Sequence, residues 1–303
     1  MTGTDEHTER FTLLRPLLFT VAYEILGSAT ESDDVLQDSY LRWVRVDLAT
    51  VRDTKSYLAQ LVTRQALNAL RAGARRREEY IGPWLPEPLL LTESDALSDV
   101  VLAESVSMGM LVLLETLTPD ERAVFVLHEV FGFGYHDIAT AVSKSVPAVR
   151  QIAHRAREHV QARRSRFGPV DAAQTAALTD RFLAAASTGD MDGLLSMLTP
   201  DATWTTDSGG KVSALAWHAT GARRVAEIVL GAFRMRELVS GVRIETVTFN
   251  HAPALAIYRD AHLEAVMLIE IADGKITKLY GIRNPDKLAA LEIPRRITRS
   301  ERG

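Results

Sequence analysis

The chain has 303 residues, 47% of them hydrophobic, with 35 Lys and Arg against 39 Asp and Glu for a formal net charge of −4, and it contains no cysteine. That length predicts two or three domains with cores of their own, and the missing cysteines exclude a disulfide scaffold, thiol catalysis and Cys-ligated zinc or iron–sulfur sites. No apolar run approaches the roughly 20 residues a membrane-spanning helix needs, and the polar N-terminus does not read as a targeting segment, so a soluble, cytoplasmic protein without a membrane partner is expected.

Phe11, Leu14, Leu18, Val21 and Ile25 recur at helical spacing up to Gly27, a C-terminal stop. Thr30 with Asp33 fits the cap of a second helix whose apolar stripe is Val35, Leu36, Tyr40, Trp43 and Val44. Asp53 predicts the cap of a third, with Tyr57, Leu58, Leu61, Val62 and Leu70 inward. Residues 8–77 therefore read as a small helical domain. Pro83, Pro86 and Pro88 bar a helix in the next stretch, so residues 78–100 read as an acidic, extended linker. A second helical domain, 101–166, is expected to include a strong helix start at Thr118-Pro119-Asp120-Glu121. It closes with a short helix around His136 to Val142, a break at Ser143-Lys144-Ser145, and a long helix to about Arg164.

Residues 171–291 change texture. Two helical segments to Leu198 precede alternating runs at Val242 to Phe249, Ala254 to Tyr258, His262 to Ile271 and Ile276 to Ile282, with Asp273-Gly274 as a hairpin signal. This is an α+β domain with a mostly antiparallel sheet, so the fold class is multidomain: two all-α domains, then α+β. The tail 292–303, carrying Arg295, Arg296, Arg299 and Arg302, is expected to be disordered.

The net charge conceals segregated blocks. Residues 64–77 hold five arginines and no acid, residues 78–121 ten carboxylates and no Lys or Arg, and residues 144–166 seven bases against one acid. Such blocks suggest different partners for different segments. Short helix, tight turn, longer basic helix is the layout of a helix-turn-helix. With Val149, Ile152, Ala153, Ala156 and Val160 inward, Arg150, Gln151, His154, Arg155 and Arg157 are left outside. Arginine can pair bidentately with guanine and glutamine with adenine, which makes Arg150 and Gln151 candidate base readers and the later arginines candidate phosphate contacts. An ordinary helical hairpin with a solvated basic face carries the same pattern. In the first domain, Glu31, Asp33, Asp34 and Asp38 surround one amphipathic helix while the next exposes Arg64, Asn68 and Arg71. One face suits a basic protein surface and the other DNA, and an acidic linker between two DNA contacts suits a cationic channel built for nucleic acid.

The run Ser32-Asp33-Asp34-Val35-Leu36-Gln37-Asp38-Ser39-Tyr40-Leu41-Arg42 resembles the core-polymerase-binding helix in region 2 of extracytoplasmic-function (ECF) sigma factors. Ser56-Tyr57-Leu58 through Arg64, Asn68 and Arg71 is similar to the part that recognises and melts the minus-10 element, and Leu117-Thr118-Pro119 through Arg155-Ala156-Arg157 resembles region 4, the minus-35 reader. Gly82-Pro83-Trp84-Leu85-Pro86-Glu87-Pro88, Asn284-Pro285-Asp286-Lys287-Leu288 and Asp207-Ser208-Gly209-Gly210-Lys211 resemble motifs of the subgroup with a fused, cone-shaped SnoaL-like domain, the last differing from the subgroup's motif at one residue. The resemblance implies core polymerase contact through Asp33, Asp34, Val35, Leu36, Gln37 and Asp38; minus-10 contact through Arg64, Asn68, Arg71, Arg75 and Arg76; and minus-35 contact through Ser145, Arg150, Gln151, His154 and Arg155. It also implies interdomain roles for Trp84, Pro86, Glu87, Asp207, Gly209, Gly210, Lys211, Asn284, Pro285, Asp286 and Lys287.

The expected partners are core RNA polymerase and promoter DNA. No cofactor, metal, catalysis or separate anti-sigma factor is expected, the SnoaL-like domain acting in cis. His218, His251, His262, Trp204, Asp207 and Tyr280 could line a ligand pocket in that domain, although isolated histidines at uneven spacing are more often surface or core residues, and Gly209-Gly210 is also readable as a turn. A one-component, ligand-sensing DNA-binding regulator is the alternative. An enzyme with a helical adaptor is a more distant one.

Overall fold

The computed structural model describes residues 3–91, 99–163, 172–214, 217–237 and 240–299. The chain divides into two compact units: Met1–Glu78 with Leu91–Arg164 and Pro294–Gly303, and Glu79–Leu90 with Ser165–Ile293.

In the first unit, α1 (Gly3–Leu26) stops at Gly27, whose φ of 68° is the left-handed conformation glycine adopts without strain. Helix α2 (Ala29–Trp43) is capped by Ser28, whose Oγ accepts the Glu31 N–H at 3.1 Å. The Thr30–Asp33 box is therefore not the cap: Ser28 holds the extended backbone a cap needs, and Thr30 is already helical. Helix α3 (Thr54–Glu78) starts as expected, the Asp53 carboxylate accepting the Ser56 N–H at 3.0 Å. Leu18, Val21, Ile25, Leu36, Trp43, Leu58 and Val62 form the core of this trio.

Then come α4 (Val100–Ser105), α5 (Met108–Leu114) and α6 (Pro119–Phe125), the last with the full Thr118–Glu121 capping box. A π-helical turn (Val126–Val130) leads to α7 (Tyr135–Val142) and α8 (Val146–Arg163), with Ser143 at φ 56° making the break between them.

The two helical stretches belong to one unit, because α3 packs on α6 and α7. Arg77 reaches Glu115 at 2.5 Å, and buried Arg122 donates through Nε to the Glu24 carbonyl at 2.9 Å and through Nη1 to Glu115. The tail is ordered from Pro294 to Arg299, contrary to expectation. Ile297 is buried, the Thr298 N–H donates to Thr20 Oγ1 at 3.1 Å, and Arg295 bridges to Leu91 and pairs with Asp33 at 2.7 Å. One apolar anchor and these pairings outweigh the entropy that its basic composition alone would leave dominant.

The second unit has α9 (Ala172–Thr188) and α10 (Met191–Met197), then β1 (Leu198–Asp207), β2 (His218–Thr220), α11 (Ala222–Glu237), β3 (Val242–Phe249), β4 (Ala252–Arg259), β5 (His262–Ala272), β6 (Lys275–Ile282) and α12 (Pro285–Ala289). The sheet runs β2-β1-β6-β5-β4-β3, with only the β1–β6 pair parallel. Asp273-Gly274 forms the expected β5–β6 turn, both residues at positive φ. One sheet face, with Trp204, Leu255, Ile269 and Leu279, packs against Phe182, Leu194, Val225 and Val229 from α9, α10 and α11. Period-2 alternation puts Asp207, Leu268, Tyr280 and Ile282 on the opposite face.

Candidate functional site

The most elaborate polar site of the second unit centres on Asp207, the last residue of β1, whose side chain is fully buried. A carboxylate so placed must be paired or hydrogen-bonded on both oxygens. Oδ1 accepts the Tyr80 hydroxyl at 2.5 Å and the Gly209 N–H at 3.1 Å; Oδ2 accepts the Leu85 N–H at 2.9 Å and Lys287 Nζ at 2.7 Å. The Asp207 carbonyl accepts the N–H groups of Arg283 and Asn284.

Buried Lys287 also donates to the Leu85 carbonyl and lies 4.0 Å from the Trp84 ring centroid. Asn284 donates through Nδ2 to the Tyr80 hydroxyl at 2.7 Å and accepts the Asp286 N–H through Oδ1, capping α12 behind Pro285. Burial first, and then the Asp207 charge, push the Tyr80 pKa well up, so its hydroxyl stays a donor. The Gly209-Gly210 pair is more than a turn. At φ 58° and 68°, a Cβ on Gly209 would stand 2.6 Å from Asn284 Nδ2, and one on Gly210 2.8 Å from the Ile81 side chain. Lys211 pairs with Asp286 at the surface.

Residues 79–90 are thus a strap seated on the α+β unit. Leu85, Pro86, Glu87, Pro88 and Leu89 are buried and Trp84 half-buried, and Leu89 exchanges backbone-like bonds with Asn250, donating to Oδ1 at 2.6 Å and accepting its N–H at 3.0 Å. Tyr80 and Asn250 were not singled out in the sequence, because their partners lie 127 and 161 residues away.

The pocket set is not brought together. Trp204 faces the helices while Asp207 and Tyr280 face the other way, and Tyr280 donates to Glu270 at 2.8 Å. His218 is on edge strand β2, His251 in the β3–β4 turn, and His262 exposed at the start of β5.

On α8, Val149, Ile152, Ala153, Ala156 and Val160 are buried and Arg150, Gln151, His154 and Arg155 exposed, as the periodicity predicts. Ser145 Oγ accepts the Ala148 N–H at 3.4 Å at the helix start. Arg155 lies 3.6 Å from Glu121, Arg157 pairs with Glu129 at 2.5 Å and His154 sits 3.5 Å from Glu158. On α3, exposed Arg64 donates to the Thr140 carbonyl of α7 at 3.3 Å, Arg71 pairs with Asp120 at 2.6 Å, and Asn68 is exposed. Lys144 joins Asp120 at 2.9 Å; burial resists ionisation there, but the two cations outweigh it and hold the carboxyl below its usual range. The side chains of Arg75 and Arg76 lie outside the described residues. On α2, Asp34, Gln37 and Asp38 are exposed, Val35 and Leu36 belong to the core, and Asp33 is shared by Arg15 and Arg295.

Beyond the 78–100 linker, the last acids of the 78–121 block, Glu115, Asp120 and Glu121, pair with Arg77, Arg122, Arg71, Lys144 and Arg155 of the chain itself.

Residues 11–76 match the family Sigma-70 region 2, and residues 108–160 match Sigma-70, region 4. The ECF RNA polymerase sigma factor SigJ of Mycobacterium tuberculosis is 35% identical over 299 residues, covering 94% of each chain. SigI of the same species, named as a probable ECF RNA polymerase sigma factor, is 30% identical over 285 residues, 91% of this chain and 93% of its own. The crystal structure of M. tuberculosis SigJ superposes with a TM-score of 0.74 at 29% identity, covering 94% of this chain and 98% of that one. Both helical regions and the α+β domain fall within these matches.

Proposed function

The chain belongs to the ECF RNA polymerase sigma factors, and from that premise we propose that the Asp207 strap is where its α+β domain governs initiation in cis. A sigma factor brings core RNA polymerase to promoter DNA. In this reading the exposed Asp34, Gln37 and Asp38 of α2 meet the polymerase, α3 with Arg64, Asn68 and Arg71 meets the minus-10 element, and α8 with Arg150 and Gln151 meets the minus-35 element. The chain does this in the cytoplasm, catalyses nothing itself, and needs no separate anti-sigma factor.

The observation that carries the reading is the strap. Residues 79–90, which join the two sigma regions, make their anchoring hydrogen bonds to Asp207, Lys287 and Asn250 of the α+β domain. A resting form is further supported by α3, whose exposed Arg64 and Arg71 spend donors on Thr140 and Asp120 of region 4, contacts that compete with DNA. Promoter engagement requires those contacts to open.

Asp207→Ala removes the carboxylate that neutralises buried Lys287, at a cost of about 3–5 kcal/mol, and releases the strap; Tyr80→Phe removes the hydroxyl shared by Asp207 and Asn284 at about 1 kcal/mol per hydrogen bond. Both should make residues 79–90 protease-sensitive, in that order of severity, and change transcript yield from reconstituted holoenzyme. Wild-type yield from a variant whose strap is cleaved readily would contradict regulation through this segment.

A further inference from the structure

The arginines on the exposed side of α8 are held in two different ways. Arg155 and Arg157 face carboxylates, Glu121 and Glu129, which offset their charge, and Arg157 also touches Tyr135 through a hydrogen bond. Arg150 instead has its guanidinium carbon 5.6 Å from the centroid of the Tyr135 ring. An aromatic face within about 6 Å attracts a guanidinium while leaving its five N–H donors free. For a group that must meet a guanine edge in one plane, that is the useful kind of partner.

Tyr135 is itself braced. It opens α7 behind Gly134 and is half-buried. It also meets Arg157, as a hydrogen-bond partner, and the His128 ring, stacked at 4.3 Å between centroids and 30° between planes. His128 Nδ1 lies 3.2 Å from the Phe133 carbonyl, an acceptor, so this nitrogen carries the proton and the imidazole is fixed. His128 and Glu129 are adjacent on the π-helical turn Val126–Val130. That turn therefore supplies both the brace for Tyr135 and the carboxylate for Arg157, a use consistent with the placement of such turns at functional sites.

We propose that Tyr135 is a positioning residue for promoter specificity, presetting the guanidinium plane of Arg150 for one base pair of the minus-35 element. This rests on Arg150 being a base reader. A long side chain with four rotatable bonds loses less entropy on docking when its plane is already set, and that saving is realised only at the base pair it reads.

The test is selection and affinity measurement with holoenzyme, full-length chain plus core polymerase, on a DNA library randomised across the minus-35 element. Arg150→Ala should abolish the preference at one position. Tyr135→Ala should lower it at that same position by roughly two- to five-fold, the worth of an exposed cation–π contact, with other positions and the salt slope unchanged. Tyr135→Phe should retain it. Tyr135→Leu, which fills the space without a π face, should behave like Ala, and Tyr135→Ala on top of Arg150→Ala should add nothing. A uniform fall at every position, or an intact preference in both Tyr135→Ala and Tyr135→Leu, overturns the positioning role. If Arg150→Ala loses no single-position preference, the base-reader assignment beneath it fails instead.

Discussion

Glu24 lies on α1 with no exposed surface, accepting the Ser105 hydroxyl of α4 at 2.7 Å beside Arg122 of α6. Burial, only partly opposed by Ser105 and Arg122, pushes its pKa from 4.5 to about 8. Between those two values the folded chain holds a proton that the unfolded chain has released. Stability is then greatest below about pH 4.5 on this account and falls as pH rises towards 8. Glu24→Gln keeps an acceptor for Ser105 and cannot ionise. Chemical denaturation across pH 5 to 8.5 should show a flatter stability curve for the variant, with its advantage greatest at the alkaline end and on the order of a few kcal/mol. Parallel curves for the two proteins would refute the buried, protonated assignment. None of this was legible from the sequence, where Glu24 is one acid among the apolar positions of a helix. The exposure of Arg150 and Gln151 was legible, because helical period alone separates them from Val149 and Ile152.

At the scale of elements, sequence and structure agree where local chemistry decides. Gly27, Asp53, the Thr118–Glu121 box and Asp273-Gly274 all act as their residue types dictate. They part where distant contacts decide. Helix α11 was not anticipated; Val225, Ala226 and Val229 occupy its buried face against the sheet. The tail was read as disordered because four arginines dominate Pro294–Gly303, yet Ile297 is 1% exposed, and Arg295 sits over the Phe19 ring as well as against Asp33. Ile297→Asp puts an unpaired charge into that seat, which the native packing cannot accommodate. It should release the tail, seen as faster amide exchange at Thr298 and at the α1 segment around Thr20, while the α+β domain keeps its protection. Unchanged exchange at Thr298 would show that the anchor is not Ile297.

For the whole molecule, a net charge of −4 understates how the charge is used. Charges of the basic stretches 64–77 and 144–166 pair with the end of the acidic stretch within the helical unit, Arg71 and Lys144 converging on Asp120 and Arg77 meeting Glu115. Segregation of charge along the chain was visible in the sequence; that it is partnered within the chain was not, since pairs such as Arg77–Glu115 and Arg71–Asp120, 38 and 49 residues apart, leave no local signature. The central claim remains initiation. Run-off transcription with purified core RNA polymerase, with and without this protein, on a library of promoter fragments tests it most directly. The account predicts template-specific transcripts only when the protein is present; specific DNA binding without transcripts, or neither binding nor transcripts, would contradict it.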